Sequence, residues 1–175
     1  MHVKNTLTEY GLISKLLHWV SAILLLVQIP LGFYLVDLDF GPERINIESI
    51  HVIVGLSIFY LVILRLLTKI INPTPKLNPS IFKGQKFLAK LNHILLYVTI
   101  LSITISGILK KLFNGETLVI FFKEFKTQDN FELAELFYDI HVFSNYFIIA
   151  LITIHIMAVV MHKFFFNDNL IKKIL

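Results

Sequence analysis

The chain contains no cysteine. That excludes disulfides, thiolate zinc sites, iron–sulfur clusters held by this chain, and covalent heme attachment through a C-x-x-C-H motif. Charge is also scarce. Only 16% of the 175 residues are Asp, Glu, Lys or Arg, against about a quarter in an ordinary soluble domain. No internal repeat and no low-complexity tract is present. The net charge of +4 is not gathered into a basic, aromatic-interleaved soluble domain, so no nucleic-acid partner is expected. What the chain has in excess is apolar surface: 56% hydrophobic residues, 16 of them Phe, and a mean hydropathy of +0.75.

Four long apolar segments cover residues 16–36, 50–71, 91–112 and 136–166. A bilayer core about 30 Å thick needs about 20 helical residues, so each is long enough to cross. The expected fold is an all-α, integral membrane four-helix bundle. It is read as a single transmembrane domain over 1–175, with helices at about 14–36, 46–71, 88–112 and 135–166. The fourth segment has surplus length and should tilt or project. Pro30 predicts a kink in the first, because proline removes a backbone donor and clashes with the preceding turn. That first segment is too long for a signal-peptide core and lacks a small-x-small cleavage site, so it is expected to be retained. Asn72-Pro73-Thr74-Pro75 and Asn78-Pro79 form a breaker cluster that ends the second helix. Within the long connection 114–130, a short interfacial helix is expected over 117–125.

The basic residues orient the bundle. Eleven lysines and arginines fall at the two termini and in the middle connection, and five fall in the other two connections. The positive-inside rule then puts both termini in the cytoplasm. Acids are skewed the other way: ten of the 12 lie in or beside the outer connections. A multi-pass membrane protein is expected.

Within these apolar helices sit His18, His51, His141 and His155. An ionisable residue is costly in a lipid-facing helix and is a functional-site candidate by default. His141 and His155 are 14 residues apart on one helix, which places them about 21 Å apart along the axis and roughly 40° apart around it. By topology, His51 and His141 share an outer depth, and His18 and His155 an inner one. Two opposed imidazoles at one depth on different helices are what a six-coordinate heme iron needs. With no thiolate in the chain, b-type heme or a histidine-only metal site remain. Gly55, one turn after His51, and Gly107 offer places where a flat macrocycle can approach a helix. Arg65 lies at the inner level, where it can pair with a heme propionate or anchor to headgroups. His93 and His162 lie near the inner surface, and His2 is read as an unstructured terminal residue.

The strings Leu17-His18-Trp19, Ile50-His51-Val52 with Arg65-Leu66-Leu67 and Pro73-Thr74-Pro75, Asn92-His93 followed by Tyr97, Asp139-Ile140-His141, and His155 through His162 to Phe166-Asn167-Asp168-Asn169 resemble the bacterial cytochrome b561 family. The resemblance runs in order along essentially the whole chain. It implies a multi-pass di-heme b cytochrome of the bacterial inner membrane whose axial ligands are His18, His51, His141 and His155. It also implies an oxidoreductase of the superoxide oxidase type. Electrons would enter at the outer heme and leave the inner heme for ubiquinone, with protons drawn from the cytoplasm. His93 and His162, with Lys15 as a third member, match positions where a quinone headgroup needs hydrogen-bond and proton donors. Histidine suits that work because its ordinary pKa lies near neutrality.

Two other readings stand beside this one. Small b-type subunits that anchor a dehydrogenase or hydrogenase and relay its electrons resemble this chain as well, which would imply a redox protein partner. A histidine-based transporter or metal site without heme would give a colourless protein. The acids of the outer connections oppose capture of an anion such as superoxide, unless Lys110, Lys111, Lys123 and Lys126 form a local positive mouth.

Overall fold

The computed structural model describes residues 2–75, 83–165 and 171–175. The breaker residues Asn78-Pro79 and the string Phe166-Asn167-Asp168-Asn169 fall outside them.

Four long helices dominate: α1 (Leu12–Asp37), α2 (Pro42–Ile71), α3 (Lys83–Phe113) and α4 (Phe131–Phe165). Each is long and apolar enough to cross a membrane. They alternate in direction, so the C-terminal ends of α1 and α3 share one end of the bundle with the N-terminal ends of α2 and α4. Packing runs α1 on α2, α2 on α3, and most extensively α3 on α4. The helices reach past the apolar runs because local chemistry extends them. Pro42 starts α2, with Glu43 in its first turn, and both favour a helix N-terminus. Asn130 caps α4 by accepting a hydrogen bond from the Leu133 N–H at 3.0 Å. Lys110 and Lys111 occupy the last turn of α3, where cations suit the helix dipole. Gly115, with φ +83°, closes α3 in a Schellman arrangement: its N–H reaches the Leu112 carbonyl and that of Glu116 reaches Lys111. The helix α1 continues through Pro30. At 35 residues, α4 is about 52 Å long, well beyond the apolar core of a bilayer.

The interior is narrow. Ile58 and Val62 of α2, Ile100 of α3, and Ile148 and Leu151 of α4 form the buried centre. Small polar residues line the helix seams, among them Ser21, Thr99, Thr104, Ser106 and Ser144, and the Ser102 and Ser144 hydroxyls meet across α3 and α4 at 3.1 Å. Small side chains at seams let membrane helices approach closely. The large apolar residues point outward instead, Ile53 at 64% exposure and Phe143 at 74%, as a lipid-solvated protein requires.

Two expectations need correction. Residues 117–125 do not form a helix. They make an antiparallel hairpin of β1 (Leu118–Ile120) and β2 (Lys123–Phe125). The string Leu-Val-Ile-Phe-Phe-Lys-Glu-Phe is rich in β-branched and aromatic residues, which favour strands. The turn at Phe121 and Phe122 has positive φ at both residues, +49° and +62°, a conformation that ordinarily selects Asn or Gly. The Tyr60 hydroxyl accepts a hydrogen bond from the Phe121 N–H at 3.0 Å, and the Phe121 ring packs on Tyr60 and Phe59. These contacts hold the turn against that preference. Nor is His2 unstructured: its carbonyl accepts from the Leu12 N–H. Asn5 draws the segment inward, accepting from Gly11 N–H and Ser14 Oγ and donating to the Pro73 carbonyl. The residues before α1 thus fold back to the end of α2.

Candidate functional site

The four intramembrane histidines fall at two levels. Toward the end where α2 and α4 begin, the His51 and His141 rings meet edge-on, with centres 6.1 Å apart and planes at 68°. A metal–imidazole bond of about 2 Å on each side puts two opposed ring centres roughly 6 Å apart.

Each of these rings rests on a glycine of a third or fourth helix. A Cβ at Gly107 of α3 would stand 3.2 Å from both Cε1 and Nδ1 of His141, and one at Gly32 of α1 would stand 3.2 Å from Cε1 of His51. Gly107 therefore makes room for the His141 imidazole. Gly55 faces the Gln28 amide. His141 Nδ1 lies 2.8 Å from the Ile103 carbonyl oxygen. A carbonyl only accepts, so Nδ1 carries the proton and Nε2 presents a bare lone pair. Gln28 donates from Nε2 to the His51 carbonyl at 2.9 Å. Ile103, Gly32 and Gln28 were not singled out in the sequence. Gln28, a lone amide in the apolar run of α1, carried the readable signal.

At the other end, His18, His93 and His155 gather with Arg65. His93 and His155 have ring centres 5.3 Å apart, and His18 lies within electrostatic range of both. The Arg65 guanidinium sits over the Tyr97 ring at 5.4 Å, with Nη2 3.2 Å from His18 Nδ1. Lys69 shares the Tyr97 face at 4.8 Å. Arginine only donates, so this contact makes His18 Nδ1 an acceptor and leaves the ring proton on Nε2. A metal taken at His18 Nε2 requires Arg65 to move off. Tyr10, just before α1, closes this end, and burial pushes its phenol above the ordinary value, with Tyr97 adding to the shift and Arg65 opposing it. His162 lies about two turns beyond His155 on α4. Lys15 donates to the main-chain oxygen of Leu175, and Trp19 Nε1 to that of Ile174 at 2.9 Å. Both side chains thus tie α1 to the short helix α5 (Ile171–Ile174).

Among the described residues no group of three or more His, Asp or Glu side chains converges as a metal site. A pair of imidazoles such as His51 and His141 suits a group that would bring the remaining metal ligands itself. A family profile for prokaryotic cytochrome b561 matches residues 9–175. The chain belongs to the prokaryotic cytochrome b561 family. Cytochrome b561 homolog 2 of Escherichia coli (strain K12) is 27% identical over 179 residues, covering 100% of this chain and 95% of that protein. The probable superoxide oxidase CybB of Yersinia pestis is 27% identical over 177 residues, covering 97% and 94%. This b561 protein is accordingly a multi-pass bacterial membrane cytochrome, and its family implies b-type heme. The residues at the His51 level fit such a group as they stand. At the His18 level the ring against His155 is that of His93, at 5.3 Å, and His18 is engaged by Arg65 instead.

The acidic ends bear on what can approach. Lys111 is held between Glu48, at 2.8 Å, and Glu116, while Lys110 lies 3.9 Å from Glu48. Two of the four lysines expected to form a positive mouth are therefore matched by carboxylates.

Proposed function

We propose that this b561 protein is a di-heme oxidoreductase that passes electrons from a periplasmic donor, superoxide, to ubiquinone near the cytoplasmic side. His51 and His141 hold the outer heme, and His18 and His155 the inner one. The observation that carries this reading is the 6.1 Å opposition of His51 and His141. Two b hemes at these levels would relay single electrons between the membrane faces. Each superoxide gives up one electron and leaves as O2; two such electrons and two protons turn one quinone into its quinol.

The chain's residues divide that work. Ile103 fixes the His141 tautomer, and Gly32 and Gly107 set how closely the two imidazoles approach. Arg65, once displaced from His18, offers a bidentate donor to a carboxylate at the inner level. His93, against His155, and His162 and Lys15 at the same end supply hydrogen-bond and proton donors to a quinone headgroup. The orientation rests on the lysine and arginine bias, and the superoxide assignment on the similarity to the Yersinia pestis protein.

The test is a reduced-minus-oxidised spectrum of purified protein with a heme-to-protein ratio. Two b hemes per chain are expected. His51→Ala or His141→Ala should each remove the outer heme, and His18→Ala or His155→Ala the inner one. A colourless protein ends the reading. Hemes without superoxide-dependent quinol formation would remove only the donor.

A further inference from the structure

The two imidazoles of the outer level are seated alike except in one respect. On α3, His141 rests its Nδ1–Cε1 edge on Gly107, and the main-chain carbonyl of the residue four positions earlier, Ile103, accepts a hydrogen bond from Nδ1–H. On α1, His51 turns the same edge toward Gly32, and the residue four positions earlier is Gln28. Residues four apart share a helix face, so Gln28 stands beside His51 as Ile103 stands beside His141. Yet His51 Nδ1 is buried with no hydrogen-bond partner, and so is Gln28 Oε1. A buried donor and a buried acceptor left open on adjoining helices demand an explanation. The amide is already oriented, because the His51 carbonyl can only accept and so requires Nε2. Oε1 is therefore the free atom, and it is an acceptor.

We propose that Gln28 is the positioning residue of the outer heme: its Oε1 accepts a hydrogen bond from the Nδ1–H of His51, holding the tautomer that leaves Nε2 bare for the iron. The inference rests on the assignment of His51 and His141 as axial ligands. The amide thereby bridges the backbone and the ring of one residue, fixing both the helix register and the ring rotation. A side-chain acceptor in this place sets the basicity of the ligand, which is one of the levers on a heme's potential. It also explains an amide kept among Leu24, Leu25, Val27 and Ile29, where an unused polar group is costly.

The test compares Gln28→Leu and Gln28→Glu in the full-length heme-loaded protein by optical redox titration and low-temperature electron paramagnetic resonance. Gln28→Leu removes the acceptor. The outer-heme potential should rise, its resonance should shift, and heme should dissociate from that site about 10–100-fold faster, the usual cost of losing an outer-shell partner. Gln28→Glu supplies a stronger acceptor and should lower the same potential. The inner heme should not move in either. Opposite signs separate ligand tuning from simple packing. If both variants leave the outer potential and resonance unchanged, or shift them in the same direction, the proposal is overturned while the heme assignment stands. If the parent protein holds no heme that His51→Ala removes, the assignment itself has failed.

Discussion

At the residue scale, the site depends on what is missing from two helices. Gly32 and Gly107 leave space that His51 and His141 fill, and an added Cβ at 3.2 Å forces each ring to shift. A displaced imidazole misaligns an axial bond, so Gly107→Ala and Gly32→Ala should each lower the heme content from two per chain toward one, with the inner heme retained. Gly55→Ala is the contrast. Its Cβ would lie 3.4 Å from the Gln28 amide, a van der Waals contact that leaves Gln28 in place, so two hemes should remain. A heme count on the three purified variants checks the pattern, and equal loss in all three would contradict it. Arg65 poses a second residue-scale question, because its contact with His18 Nδ1 opposes the tautomer a ligand needs. If Arg65 moves to a propionate when the inner heme binds, its charge stabilises the reduced iron. Arg65→Leu should then lower the inner-heme potential and leave the outer one in place, as optical titration would show.

At the element scale, the hairpin of β1 and β2 is where reading by composition stopped. The four helices were legible because runs of twenty apolar residues have few other solutions in a membrane. That His51 and His141 meet was legible because antiparallel helices convert sequence position into depth; that His93 lies against the His155 ring was not. The hairpin was not, since an eight-residue string with only Lys123 and Glu124 polar is ambiguous between helix and strand and its choice here depends on a distant residue. Tyr60 lies about 27 Å along α2 from Pro42, so the hairpin folds back along the bundle to reach it. The Tyr60 hydroxyl secures the strained turn at Phe121. Tyr60→Phe should cost about 0.5–1.5 kcal/mol, the net worth of one hydrogen bond, and should loosen the hairpin without loss of heme. Hydrogen exchange at the 118–125 amides checks this, and unchanged protection would show that ring packing alone holds the turn. The seating of His51 was hidden for a similar reason: no spacing rule says that Gln28 and Gly32 of α1 face a histidine on α2. Only the packed structure brings them together.

At the scale of the whole molecule, charge and substrate pull apart. The family fixes a b-type membrane cytochrome, but ten acids against five bases lie in or beside the two connections at the His51 end, and Lys110 and Lys111 are engaged by Glu48 and Glu116. An anionic donor approaching that face meets net repulsion, which lowers the encounter rate. Screening relieves repulsion. The Debye length falls from about 30 Å at 0.01 M ionic strength to about 10 Å at 0.1 M, so long-range fields fade over that range while contacts at the mouth persist. If superoxide is the donor and the whole face governs its approach, the second-order rate constant for heme reduction should rise a few-fold with added salt. A positive mouth built by Lys123 and Lys126, the two exposed lysines of the hairpin region, would make the rate fall instead. Stopped-flow reduction at several ionic strengths decides between them. Glu48→Gln sharpens the test, because it removes a negative charge beside Lys110 and Lys111 one turn from His51. It should speed the low-salt reaction and flatten its salt dependence under the first account. A rate insensitive to both salt and this substitution would mean that the donor reaching the outer level is uncharged.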